Sequence, residues 1–247
     1  MAAANGHPEV VINLIKHGAY VNLQTAGGFT PFHSAVLYDH EDVVNILLKE
    51  GAFIDIVRKN SRDTPLHTAI TNGHKRIVQI ILENHPNINA FNKEGLTPLL
   101  SSARSGNHDI VELLLQAGAQ LDCEDANGFS ALHISAGLIV EFFLERGMSI
   151  SDLSDSGATL LHTAAEGGHS TLIQYLLDKH ADVNAVDVDG NTPLDLTNDA
   201  DTRELLGSVG QLFKAVNENA VSKAEKLIKE IGKSVEAKSA DNSSLLF

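Results

Sequence analysis

The chain has a single cysteine, Cys123, among its 247 residues. No internal disulfide can form, so folding does not require an oxidising compartment, and a cytoplasmic setting is the expectation. Long apolar runs are missing as well. None reaches the roughly 18 residues of a membrane span, and the most apolar stretch, Ile134 to Leu144, is interrupted by Glu141. Residues 1–10 lack the basic start and apolar segment of a secretory signal. Direct membrane insertion is therefore not expected. Signatures of chemistry are absent too: there is no G-x-S-x-G nucleophile turn, no phosphate-cradling G-x-x-x-x-G-K, and no H-E-x-x-H or Cys/His zinc pattern. Asp187, Asp189 and Asp195 lack the closing Glu of a calcium loop. The expectation is a chain without enzymatic activity, cofactor or metal.

What is present is one short phrase repeated. It reads Thr30-Pro-Phe-His33, Thr64-Pro-Leu-His67, Ser130-Ala-Leu-His133 and Thr159-Leu-Leu-His162, with weaker copies at Thr97-Pro-Leu-Leu100 and Thr192-Pro-Leu-Asp195. The start-to-start spacings are 34, 33, 33, 29 and 33 residues. A period near 33 carrying this phrase marks a two-helix repeat that stacks into a solenoid. Thr or Ser predicts an N-cap, and Pro at the first helical position has no N–H to leave unsatisfied. A turn such as Asn72-Gly73-His74 leads to a second helix with a continuous apolar face, as in Ile77-Val78-x-Ile80-Ile81-Leu82. Gly51, Gly118 and Gly147 close these helices, with His85 and His180 in the same place in two repeats. A tight turn such as Asp125-Ala-Asn-Gly128 then leads into the next phrase.

With several motif positions recurring in register, the chain resembles an ankyrin-repeat protein over roughly residues 2–206, with a fainter continuation to the end. The resemblance implies an all-α ankyrin-repeat solenoid with projecting β-hairpin fingers. It implies a concave face, built of fingers and first helices, that recognises proteins without catalysis. It also implies that the phrase histidines His33, His67, His133 and His162 hydrogen-bond to the neighbouring turn. Asn22, Asn89 and Asn184 resemble hairpin asparagines that can be hydroxylated in animal cells.

The pattern breaks in several places. Residues 2–7 match the end of a first helix with no phrase before it, and residues 241–247 resemble the opening of another repeat. The two incomplete ends read as a fragment of a longer protein, or else as eroded capping repeats. The interval of 29 residues predicts a shortened repeat at 130–158, where Ala136-Gly137-Leu138 runs straight into the second helix. An array over 1–206 is expected, with a bend or boundary near 207 and a divergent repeat in 207–247. There Leu212, Phe213, Ala215 and Val216 would lie on a first helix and Ala224, Leu227, Ile228 and Ile231 on a second.

Charge is unevenly distributed. Residues 120–202 hold fifteen acidic side chains against Arg146 and Lys179, whereas residues 1–119 hold eleven acids and nine bases. A stripe this acidic repels phosphate backbones, so nucleic acid is not an expected partner, and it favours a partner with a basic surface. The oligomeric state is not readable. The candidate partner-binding residues are Phe29, Leu96 and Phe129 on the fingers, Leu37 and Tyr38 at the end of a first helix, and the acidic tips Asp155 and Asp189. Arg62 and Asp63 join them because Arg62 stands where other fingers have Gly95, Gly128, Gly157 or Gly190. Two functions fit: an interaction scaffold that binds a protein through the concave face and fingers, or the repeat arm of a larger protein such as a microbial effector, a channel or an arthropod pore-forming toxin.

Overall fold

The computed structural model describes residues 1–135, 139–218, 220, 222–223 and 225–229. The chain divides into two compact units, Met1–Met148 and Ser149–Phe247. The first contains α1 (Pro8–Lys16), α2 (Pro31–Leu37), α3 (Glu41–Lys49), α4 (Pro65–Thr71), α5 (Lys75–Glu83), α6 (Pro98–Arg104), α7 (His108–Gln116), α8 (Ala131–Ile134) and α9 (Val140–Glu145). The second contains α10 (Leu160–Glu166), α11 (Ser170–Asp178), α12 (Pro193–Leu196) and α13 (Ala200–Asn217).

The phrase does locally what its chemistry dictates. Thr30, Thr64 and Thr159 sit in extended backbone before α2, α4 and α10, and each hydroxyl accepts the N–H of the histidine three residues on. That imidazole accepts the cap residue's own N–H in return, so both orphan donors are satisfied, a contribution of about 1 kcal/mol per cap. Pro31, Pro65, Pro98 and Pro193 occupy the first helical position.

Within the first unit α2, α4, α6 and α8 pack side by side, and so do α1, α3, α5 and α7. The first helices approach closely because Ala35, Ala69 and Ala103, all fully buried, present only a methyl group. The second helices bury Val43, Val44 and Leu47, then Ile77, Val78 and Ile81, then Ile110, Val111 and Leu114. The apolar stripe read from the sequence is therefore the core of the stack. Turn histidines add long-range links, with His40 Nε2 donating to the Ala4 carbonyl at 3.0 Å and His74 Nε2 to the Leu37 carbonyl at 3.2 Å.

The fingers are tight turns with little strand pairing; among the described residues only the isolated bridges Glu124–Ser130 and Leu153–Thr159 occur. Adjacent fingers are nonetheless joined by backbone hydrogen bonds, Lys59 N to Gly27 O at 3.2 Å and Lys93 N to Ser61 O at 2.8 Å. The approach is so close that a Cβ on Gly95 would lie 2.5 Å from the Ala126 nitrogen.

In the second unit α10 packs on α11 and α12, and α13 packs on α11 and α12. The stretch in which a bend or boundary near 207 is expected belongs to this unit. Residue 207 falls inside α13, an uninterrupted helix of 18 residues started by Asp199, whose carboxylate accepts the Thr202 N–H at 2.7 Å. Leu212, Ala215 and Val216, expected on a first helix, lie on this helix, and Leu206 and Ala215 along it are both buried. Leu227 packs against Ala215 and Leu212, while Val216 and Ile228 are exposed. Ala136, Gly137 and Leu138, and Ala224, Ile231 and residues 241–247, lie outside the described residues.

Candidate functional site

The surface expected to carry function lies in the first unit, where the fingers meet the ends of the first helices. Most fingers are shaped by one side chain five residues before the phrase. Asn92 Oδ1 accepts the N–H groups of Glu94 and Leu96 at 2.9 and 3.0 Å. Asp125 does the same for Asn127 and Phe129, and Asp187 for Asp189 and Asn191. Hydrogen bonds from those backbone groups and from the Asn191 side chain hold the Asp187 carboxyl below its ordinary value, against the opposing effect of desolvation.

The second finger is built differently. Its closing bond runs from Arg58 N to Asp63 O, five residues apart, whereas the first and third close over four, from Thr25 N to Phe29 O and from Asn92 N to Leu96 O. This extra residue accounts for the 34-residue spacing. In place of a turn-shaping Asn or Asp, the guanidinium of Arg58 bonds the Asp63 carboxylate and lies 5.3 Å from the centre of the Phe29 ring. Asn92 Nδ2 donates to the other Asp63 oxygen at 2.9 Å. Burial pushes the Asp63 carboxyl up, but hydrogen bonds from Ser61, Asn92 and Arg58 outweigh it and hold the group below its ordinary value.

At the tip, Arg62 adopts a φ of 57°, in the left-handed region where the other fingers place glycine. A non-glycine residue there costs about 1–2 kcal/mol. Replacing Arg62 by Gly is expected to raise stability by about 0.5–1 kcal/mol, since relief of strain outweighs the added freedom of the unfolded chain. A urea unfolding midpoint that falls rather than rises would show that the Arg62 side chain stabilises the fold.

Only some of the expected binding residues come together. Asp63 and Leu96 line one open cleft of about 330 Å³ with Thr71, Asn92, Ser101 and Arg104, and Arg104 pairs with Glu94 at 2.6 Å across it. Leu96 is 3% exposed, so it is a core residue rather than a displayed anchor. Its carbonyl accepts His67 Nε2 at 3.0 Å, which draws it under the finger. Phe29 and Phe129 are half-buried, with their rings against His33 and His133 at 6.0 and 5.9 Å. Phe29 borders a separate apolar cavity of about 500 Å³ with Val11, Leu14 and Tyr20. Leu37 is half-buried, whereas Tyr38, which closes α2, is 57% exposed. Arg62 is exposed, and in the second unit so are Asp155 and Asp189.

Sequence reasoning missed the Arg104–Glu94 pair and the polar floor of Thr71 and Ser101. Their signal was positional: Thr71 and Arg104 end α4 and α6 at equivalent places in the repeat. Hairpin asparagines have structural partners, Asn22 accepting the Phe53 N–H at 2.7 Å and donating to the Gly51 carbonyl at 2.9 Å, and Asn89 accepting the Gln120 N–H at 3.0 Å. Burial pushes the Cys123 thiol above its ordinary value, against a weak bond with the Thr97 hydroxyl, so it stays protonated near neutral pH.

Stacked two-helix repeats joined by turn-like fingers define a class of interaction module. The chain belongs to the ankyrin-repeat family: residues 1–92 and 87–152 match the family model for ankyrin repeats in three copies, and residues 139–196 match that for ankyrin repeats in many copies. It is similar to the transient receptor potential cation channel subfamily A member 1 of Drosophila melanogaster, 28% identical over 195 residues, which is 70% of this chain and 16% of that protein. It is also similar to the putative palmitoyltransferase ZDHHC13 of Danio rerio, 27% identical over 135 residues, 54% of this chain and 21% of that protein. The chain thus spans about a fifth or less of the length of these curated relatives. Among solved structures it resembles the human ASB11 ankyrin repeat domain, with a TM-score of 0.72, 26% identity, and coverage of 83% of this chain and 94% of that one. The ankyrin repeat domain of Bcl-3 shares the fold, with a TM-score of 0.67 and 24% identity over 83% of this chain and 95% of that one. Ankyrin repeats are protein-interaction modules, and no helix among the described residues is long and apolar enough to cross a membrane.

Proposed function

We propose that the first unit is a non-enzymatic scaffold that binds a protein segment in the cleft between the second and third fingers and the ends of α4 and α6, with Tyr38, exposed at the end of α2, as a further contact. The observation that carries this reading is the cleft itself: an open groove lined by Asp63, by the Glu94–Arg104 ion pair and by the polar side chains of Thr71, Asn92 and Ser101. Such a groove pairs with the backbone and polar side chains of a partner, and an exposed tyrosine supplies contact area at low entropic cost. Phe29, Phe129 and Leu37 are half-buried and do not line this cleft. Asp155 and Asp189, exposed in the second unit, are read as steering a basic region of a partner, and the single reduced cysteine suits a cytoplasmic setting.

Affinity capture from the native cell tests the reading. Tyr38→Ala combined with Arg104→Ala is expected to lose at least about tenfold of the captured partner while helical circular dichroism is retained. Run alongside, Asp155→Asn with Asp189→Asn should reduce capture at low salt only. Undiminished capture by the Tyr38/Arg104 variant would remove the cleft from consideration.

A second reading is favoured by the length of the relatives, in which the matching stretch is a small part of a longer chain. In it, this chain is the repeat arm of a larger protein, such as a microbial effector, a channel or a pore-forming toxin, and the cleft docks that protein's targets. Transcript sequencing across both ends decides between the two.

A further inference from the structure

We infer that the tips of the second and third fingers form a basic edge, made by Lys59, Arg62 and Lys93, that takes a short acidic segment of a protein partner. The inference rests on the reading that the first unit binds proteins and adds the chemistry of what is bound. All three side chains are exposed, and none takes part in the ion pairs found among the described residues. The carboxylates of these two fingers are already engaged. Asp63 is bonded by Arg58 and Asn92, Glu94 pairs with Arg104, and Asp55 accepts the Asn87 N–H at 2.9 Å. The outward charge at these tips is therefore positive in a chain whose net charge is −14.

The edge is also held in place. Lys93 N donates to Ser61 O, and Lys59 N to Gly27 O, so the cations ride on tips whose separation is fixed by backbone hydrogen bonds. A preorganised row of charges loses little freedom on binding. The second tip carries one residue more than the first and third, and it places Arg62 at a φ of 57° where glycine serves the other fingers. Among the described residues no hydrogen bond or ion pair involves the Arg62 side chain, so the structure shows no compensation for that backbone strain. Strain retained at an exposed cation points to recognition. The occupant is short, because the acids in the rest of the chain repel an extended polyanion, and a carboxylate-bearing segment of a protein fits better than a nucleic acid for the same reason.

The test is fluorescence anisotropy of the full chain with a fluorescein-labelled decaglutamate peptide, at about 20 mM and about 200 mM salt. Wild-type chain is expected to bind at low salt and weaken as salt rises. Lys59→Gln, Arg62→Gly and Lys93→Gln together should weaken binding at least about tenfold, and Arg62→Gly alone about threefold with no loss of thermal stability. Absence of wild-type binding, equal binding by the triple variant, or tighter binding of a decathymidine oligonucleotide would each overturn the inference. The same triple variant is then used in the native capture described above. Capture that survives it but is lost with Tyr38→Ala and Arg104→Ala leaves the cleft standing and removes the basic edge; capture indifferent to both variants removes both.

Discussion

Acidification from pH 6.5 to pH 4 is expected to remove about 3 kcal/mol of stability through His33 alone. The imidazole is fully buried on α2, and its pKa is lowered from 6.5 to about 4, first by desolvation and then by the positive charge of Arg58. Its Nδ1 faces two donors, the N–H and the hydroxyl of Thr30, at 3.3 and 2.9 Å. A proton placed on that nitrogen would face the Thr30 N–H, a donor, and would cost that hydrogen bond. The folded state therefore binds this proton less readily than the unfolded chain does. His33 contributes fully above about pH 6.5, and the contribution is lost as pH falls towards 4. His67, lowered chiefly by burial, acts in the same direction, and the depressed Asp63 carboxyl adds its own loss at still lower pH. Urea unfolding at pH 7.5, 5.5 and 4 measures the effect. His33→Leu, copying the Leu100 of the third phrase, should flatten the pH dependence by its share; parallel curves for the two chains would show that His33 is not the group responsible.

His67→Ala is expected to destabilise the first unit by about 3 kcal/mol, through the cavity left in the core and the loss of buried hydrogen bonds. The imidazole links two repeats: Nδ1 bonds Thr64 at 2.8 Å, and Nε2 donates to the Leu96 carbonyl 29 residues on, at 3.0 Å. The carbonyl keeps a second partner, the Asn92 N–H at 3.0 Å, so its loss is partial. His67→Leu should cost less, about 1–2 kcal/mol, because the volume is filled and the next repeat tolerates Leu100 in the equivalent place. Chemical denaturation of the two variants separates packing from hydrogen bonding. Equal losses would mean that the bonds, not the volume, carry the stability of this position.

Much of the fold is legible because it depends on residues close in sequence. Thr64 caps His67 three residues away, Pro65 sits at the first helical position, and the stripe Ile77, Val78, Ile81 follows from helical spacing alone. The left-handed turns at His85 and His180 were legible from the same periodicity. Leu96 was not. It precedes a phrase just as Phe29 and Phe129 do, yet it is buried, with a smaller side chain and a carbonyl bonded by His67, where the phenylalanine residues are half-exposed. The course of the chain through Gly207 and Gly210 was not legible either: a Cβ on Gly207 would meet open space and one on Gly210 would lie 3.6 Å from Asn184 Oδ1, and α13 continues through both.

By itself, the sequence determines that this is a stack of capped two-helix repeats, because capping, periodicity and turn chemistry act over three or four residues. Only the tertiary structure decides which finger residues are displayed and which charges are spent. Arg58 is absorbed by Asp63 and Phe29, while Lys59, Arg62 and Lys93 form no ion pair among the described residues. Those outcomes are set by contacts between neighbouring repeats, about 30 residues apart in the chain, such as Asn92 with Asp63 and Lys93 with Ser61. Local rules carry no information across that distance; the packing of one repeat against the next supplies it.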